Sequence, residues 1–63
     1  MPLSNFYCLE VFRRLNKPSL SESELNTGLK MFVTDPALCR RDAVESGVIQ
    51  RSTDGSSYTL PEN

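Results

Sequence analysis

The chain has no histidine and no tryptophan, and it has only two cysteines and three glycines. Each scarcity removes a class of function. Without histidine there is no group that titrates near neutral pH unaided, and no imidazole to bind a metal. Two cysteines cannot complete a structural zinc site of about four ligands. Cys8 and Cys39 also lack the C-x-x-C spacing of a redox motif. They read as two small buried hydrophobes rather than as a disulfide. No glycine-rich loop is present to cradle a phosphate chain, and the scattered carboxylates form no pair suited to acid–base work. The expectation is a protein that is not an enzyme and carries no metal or cofactor. No apolar run approaches the ~20 residues of a membrane span. The first residues lack the basic, apolar and small-residue succession of a signal peptide, so a cytoplasmic location without membrane contact is expected. Positive charge is not in surplus either. Seven basic and eight acidic side chains leave a net charge of −1, whereas many nucleic-acid-binding modules are clearly basic.

What is present is local structure with well-marked ends. At 63 residues the chain has room for one small domain, marginal in stability because so little surface is buried at that size. Residues 35 to 60 organise it. Asp35 is suited to cap a helix, Pro36 to its first position, and Gly47 to its stop. The run Val48 to Thr53 then meets Asp54-Gly55, a favoured turn pair between antiparallel strands, and Ser56 to Leu60 returns. A two-residue turn there sets Thr53 opposite Ser56, Arg51 opposite Tyr58 and Ile49 opposite Leu60. Ile49 and Leu60 would close the core, and Arg51 would lie on the Tyr58 ring.

Two helices are expected upstream, over about 4–16 and 21–33, ahead of the third over about 36–46 and the hairpin over about 48–60. In the first, Tyr7, Cys8, Leu9, Val11, Phe12 and Leu15 cover an arc of about 200° on a helical wheel. A helix resting on one core needs little more than ~100°, so part of this arc is available to a second copy in a symmetric dimer, or else to an oversized core. Lys17-Pro18-Ser19 reads as a linker. Ser21 and Glu24 have the spacing of a capping box, with Leu20 and Leu25 as its hydrophobic staple. Gly28 would admit a close neighbour, and Met31 falls off the apolar stripe. In the third helix Arg40 projects into the apolar side, which obliges its guanidinium to find a carboxylate or carbonyl. Leu38, Arg41, Asp42 and Glu45 face outward. The fold class implied is α+β, a winged helix-turn-helix of three helices and a C-terminal hairpin in one domain spanning residues 1–63.

From Leu25 to Tyr58 the sequence resembles a family of small bacterial domains of unknown function, numbered twenty-eighty-seven. The residues that carry the resemblance are Leu29, Phe32, Asp35, Pro36, Arg40, Arg41, Val44, Gly47, Arg51, Asp54, Gly55 and Tyr58. Cys39 and Ala43 stand where the family pattern has leucines, which implies a shallower seat for the third helix. The resemblance implies a winged-helix-like domain that occurs alone or attached to transcriptional regulators. Arg40, Arg51 and Tyr58, with Arg41, are then either a structural clasp or a binding surface.

Two functions are left in play. In one the domain is a transcriptional regulator that binds double-stranded DNA. Arg41 would read guanine from the third helix, Lys30 and Arg51 would touch phosphate, and Ser52, Ser56 and Ser57 would add weaker hydrogen bonds. Two or three phosphate contacts give a log–log salt slope of only about −2 to −3, so a monomer would bind weakly. In the other, the same fold serves protein–protein contact through Leu38, Met31, Tyr7 and Val11.

Overall fold

A computed structural model describes residues 3–61 of the chain. Helix α1 (Leu3–Leu15) leads into a short strand β1 (Ser19–Ser21), then helix α2 (Glu22–Leu29), helix α3 (Pro36–Glu45), and strands β2 (Gln50–Arg51) and β3 (Ser57–Thr59). The protein is thus a small α+β fold of three helices and a three-stranded antiparallel sheet, ordered β1–β3–β2. The tail after Pro61 lies outside the described residues. Among those described, no helix is long and apolar enough to cross a membrane.

The expected caps are in place. The Asp35 carboxylate accepts from the Leu38 N–H at 3.2 Å, with Pro36 opening α3. At the other end Gly47 takes φ +79°. Its N–H donates to the Val44 carbonyl at 3.0 Å, while that of Val48 reaches back to Ala43, also at 3.0 Å. This pair of bonds is the Schellman closure, and it satisfies carbonyls the helix leaves open. At the start of α2, the Glu24 N–H donates to Ser21 Oγ at 3.0 Å and the Ser21 N–H donates to Glu24 Oε1 at 2.9 Å. Both members of the staple, Leu20 and Leu25, are fully buried.

Three expectations need correction. The supposed linker Lys17-Pro18-Ser19 runs into β1 at Ser19, and the next residue, Leu20, pairs with Tyr58 of β3. Three residues are too few for alternation to reveal a strand, and its pairing partner is far away in sequence. Next, α2 ends at Leu29 rather than Val33. Phe32 and Met31 donate instead to the Leu29 and Gly28 carbonyls in tighter turns, and Phe32 stacks on Tyr7 with centroids 5.3 Å apart and planes 9° from parallel. That tertiary contact overrides the helical period. Finally, the hairpin keeps its register, Arg51 opposite Tyr58, but not its two-residue turn. The Gly55 N–H donates to the Ser52 carbonyl at 2.9 Å. Gly55 alone in that turn has positive φ, at +76°, so it closes a four-residue turn instead of sharing a mirror-image one, which needs positive φ at both central residues.

The core gathers Cys8, Val11 and Phe12 of α1, Leu20, Leu25 and Leu29, Cys39 and Ala43 of α3, and Ile49 and Tyr58. Leu60, expected beside Ile49, is exposed because it lies beyond the end of β3. Cys39 and Ala43 do not make α3 shallow. Both are buried, and the Cys39 thiol donates to the Ser4 carbonyl of α1 at 3.5 Å. Small side chains there let the helix come closer. The wide arc of α1 is largely covered within the chain: Tyr7 by Phe32 and Val11 by Gly28. A Cβ on Gly28 would stand 2.6 Å from Val11 Cγ1, so only glycine admits this approach. Of the arc, Leu15 remains exposed, together with Leu3 and Phe6 near the start of α1.

Candidate functional site

Where α3 faces the β2–β3 hairpin there is a concavity of about 180 Å³, lined by Glu22, Ala37, Arg40, Arg41, Val44, Arg51 and Tyr58. Each side chain arrives there for a local reason. Arg40, Arg41 and Val44 sit within little more than one turn of α3. Arg51 and Tyr58 are cross-strand partners and so share a face of the sheet. Glu22 stands at the start of α2, where a carboxylate suits the positive end of the helix.

Arg40 forms the floor. Its side chain is only 15% exposed, and its Nη2 lies 2.8 Å from Glu22 Oε1. Its Nη1 donates to the Asn26 side-chain carbonyl, and its guanidinium lies over the Tyr58 ring, 5.6 Å from the centroid. The cation on that ring is therefore Arg40, not Arg51 as expected. The requirement that Arg40 find a carboxylate was readable in the sequence. Its partners, Glu22 and Asn26, were not, because helical spacing says nothing about contacts between helices.

Arg41 and Arg51 are exposed, and neither has an acidic partner among the described residues. Arg51 is seated against the turn. A Cβ on Gly55 would come 2.5 Å from Arg51 Nη2, so the glycine leaves room for the guanidinium to fold back over the hairpin. Lys30 is exposed at the other end of α2 from Glu22, roughly 12 Å along the helix at 1.5 Å per residue, and lines none of the concavity.

The hairpin serines are differently employed from what was expected. Ser52 Oγ and Ser56 Oγ donate to Asp54 Oδ1 at 2.7 and 2.8 Å, and the Ser56 N–H adds a third bond at 3.0 Å. The Ser57 N–H donates to Ser52 Oγ at 3.1 Å. These donors, led by the Ser52 hydroxyl, hold the Asp54 carboxyl at about 2, well below its ordinary value. The tip is a closed, anionic knot at neutral pH, so Ser52 and Ser56 have no hydroxyl proton left for a phosphate.

Of the residues considered for protein contact, Leu38 and Met31 are exposed, at 50% and 70%. Val11 is buried beneath Gly28, and Tyr7 is covered by Phe32. Val11 is therefore closed to an outside partner, whereas Tyr7 is half-buried and keeps part of its surface open. Cys8 and Cys39 are free, buried thiols. Burial, and then the neighbouring Cys39, push the Cys8 thiol up to about 12, so it does not ionise at neutral pH. Among the described residues no three His, Cys, Asp or Glu side chains gather in a way that would hold a metal.

No curated protein and no solved structure matches the chain. The sequence pattern of a family described as "Uncharacterized protein conserved in bacteria (DUF2087)" matches residues 8–60, which take in every element from the second half of α1 to the last strand. The chain belongs to that family.

Proposed function

We propose that the protein is a non-enzymatic regulatory module with a winged-helix layout that binds double-stranded DNA, with α3 as the recognition helix and the β2–β3 hairpin as the wing. The element order and the strand order β1–β3–β2 support that layout. The observation that carries the DNA reading is the convergence of Arg41 and Arg51 on one groove of an otherwise acidic chain. Two unpaired guanidiniums on adjacent elements suit neighbouring phosphates, a role that fixes position more than sequence. Because Ser52 and Ser56 are taken up by Asp54, contact centres on the α3 side of the wing and not on its tip.

The test is fluorescence anisotropy with a labelled mixed-sequence duplex at about 20 and 150 mM salt. Binding that weakens with salt along a log–log slope of about −2, and by about one less in Arg51→Gln, is the expected result. No binding at the lower salt overturns the reading.

A second reading, protein–protein contact, is favoured by one observation. Leu15 and Met31 are both exposed and line the same shallow groove along α1 and α2 with Gly28. A homodimer through α1 would draw on this groove, on the exposed Leu3 and Phe6, and on the half-buried Tyr7 and Leu9. Sedimentation of the protein at about 10 and 500 μM decides it: mass that rises with concentration in wild type but not in Met31→Lys supports this use.

A further inference from the structure

The concavity between α3 and the hairpin is better suited to a small free ligand than a general basic surface would be. We infer that it is a binding site for a phosphate monoester or free phosphate, a dianionic tetrahedral group held by Arg40, Arg41 and Arg51. The inference uses the same groove as the DNA reading but does not depend on DNA binding.

Charge is the first argument. Three guanidiniums and one carboxylate line the site, leaving a surplus of two positive charges. Arg40 is the fixed member, tied to Glu22 and Asn26 over the Tyr58 ring and mostly withdrawn from solvent. Arg41 and Arg51 approach from two different elements, without acidic partners among the described residues. A dianion balances that surplus and a monoanionic diester balances half of it. Guanidinium is also the group whose forked donors match phosphate oxygens, and such charge-assisted bonds are about twice as strong as neutral ones.

Size is the second argument. At about 180 Å³ the concavity falls below the ~300–1,000 Å³ of pockets for drug-sized ligands. It has room for one tetrahedral group and a small ester substituent. Ala37 and Val44 give that substituent an apolar wall.

The third argument is preorganisation. Arg51 has a seat on Gly55, which has no Cβ to displace it. The Ser52 and Ser56 hydroxyls and the Ser56 N–H all donate to Asp54 Oδ1, which holds the turn beside that seat in one shape. The cost of ordering the cations is thus partly met before a ligand arrives.

The experiment is an NMR titration of the arginine Nε–H and backbone N–H signals at pH 7.5 and low salt, with phenyl phosphate as the monoester and diphenyl phosphate as the diester. Phenyl phosphate is expected to give saturable shifts confined to the Arg40, Arg41, Arg51 and Tyr58 neighbourhood, and to bind about tenfold or more tightly than diphenyl phosphate. Arg41→Gln and Arg51→Gln, both at exposed positions and so compatible with folding, should each weaken it about tenfold. Lys30→Gln should leave it unchanged. Equal response to the diester, shifts spread evenly over Arg13, Arg14 and Lys30, or binding unaffected in both arginine variants would each overturn the inference. Duplex DNA is titrated in parallel. Monoester binding without duplex binding upholds the pocket and ends the DNA reading, whereas duplex binding with no monoester binding does the reverse.

Discussion

Helix α2 meets α1 on one side and α3 with the hairpin on another, and on opposite terms. Towards α1 the contact is apolar and too close to admit one more carbon, with Gly28 laid against Val11. Towards α3 and the hairpin it is polar and open, with Glu22 and Asn26 holding Arg40 above Tyr58 at the edge of a concavity. A fold of this size has little buried surface to spare. An apolar filling of that concavity would stabilise it more simply than three guanidiniums do. The α1 side is accounted for by folding alone, while the α3 side keeps two exposed guanidiniums, those of Arg41 and Arg51, without acidic partners among the described residues.

The comparison breaks first if the apolar side proves unimportant. Leu25 is fully buried and staples the entry of α2, so Leu25→Ala should cost about 2–5 kcal/mol in urea unfolding, enough to leave a marginal domain largely unfolded. Gly28→Ala tests the close approach more narrowly. On an open helix surface that change would stabilise by up to about 1 kcal/mol. Here the new methyl meets Val11, a stiff β-branched side chain, and a loss of about 1–3 kcal/mol is expected. If the overlap is the cause, Val11→Ala in the same chain should recover part of it, a non-additivity that a double-mutant cycle reads directly. A stabilising Gly28→Ala would mean that α1 and α2 have slack between them.

Arg40→Met sharpens the other half. The partner it leaves, Glu22, is about half exposed and stays hydrated, so removing Arg40 strands no buried charge. Stability within about 1 kcal/mol of wild type is expected, with loss of anion and DNA binding. A loss of stability rivalling that of Leu25→Ala, with binding retained, would make Arg40 a clasp between helix and hairpin and nothing more.

How much of this was legible in sequence follows from the range of each interaction. The caps of α2 and α3 and the register of the hairpin come from neighbours a few residues apart, and Ser21, Glu24, Asp35, Gly47 and Gly55 announce them. Strand β1 and the early end of α2 depend on Tyr58 and Tyr7, distant partners with no trace in local periodicity. The site divides the same way. That Arg40 must be paired could be argued from its place on an apolar face, and Arg51 and Tyr58 were correctly set opposite one another. Which cation covers the ring depends on how α3 leans on the sheet. At the tip, a short polar run reads alike whether its hydroxyls face solvent or, as those of Ser52 and Ser56 do, bind a carboxylate within the loop.

The smallest effect expected is at that tip, and the signal of the Asp54 carboxyl itself reads it. The Asp54 carboxyl is held at about 2 against an ordinary 3.8, with the Ser52 hydroxyl the leading cause and the Ser56 N–H and hydroxyl behind it. A carboxylate whose folded pKa is depressed adds stability that is fully present above the ordinary value and disappears as pH falls from about 4 towards about 2. Its carboxyl carbon, followed by NMR, should titrate near 2 in wild type and move up towards the ordinary range in Ser52→Ala. Because Asp54 is fully exposed, the change in overall stability should be slight. The Arg51 Nε–H signal should move through the same range, because its guanidinium lies against Gly55, next to Asp54. A tip that titrates at the ordinary value, with the groove unaffected, would separate Asp54 from the site and leave the seating of Arg51 to Gly55 alone.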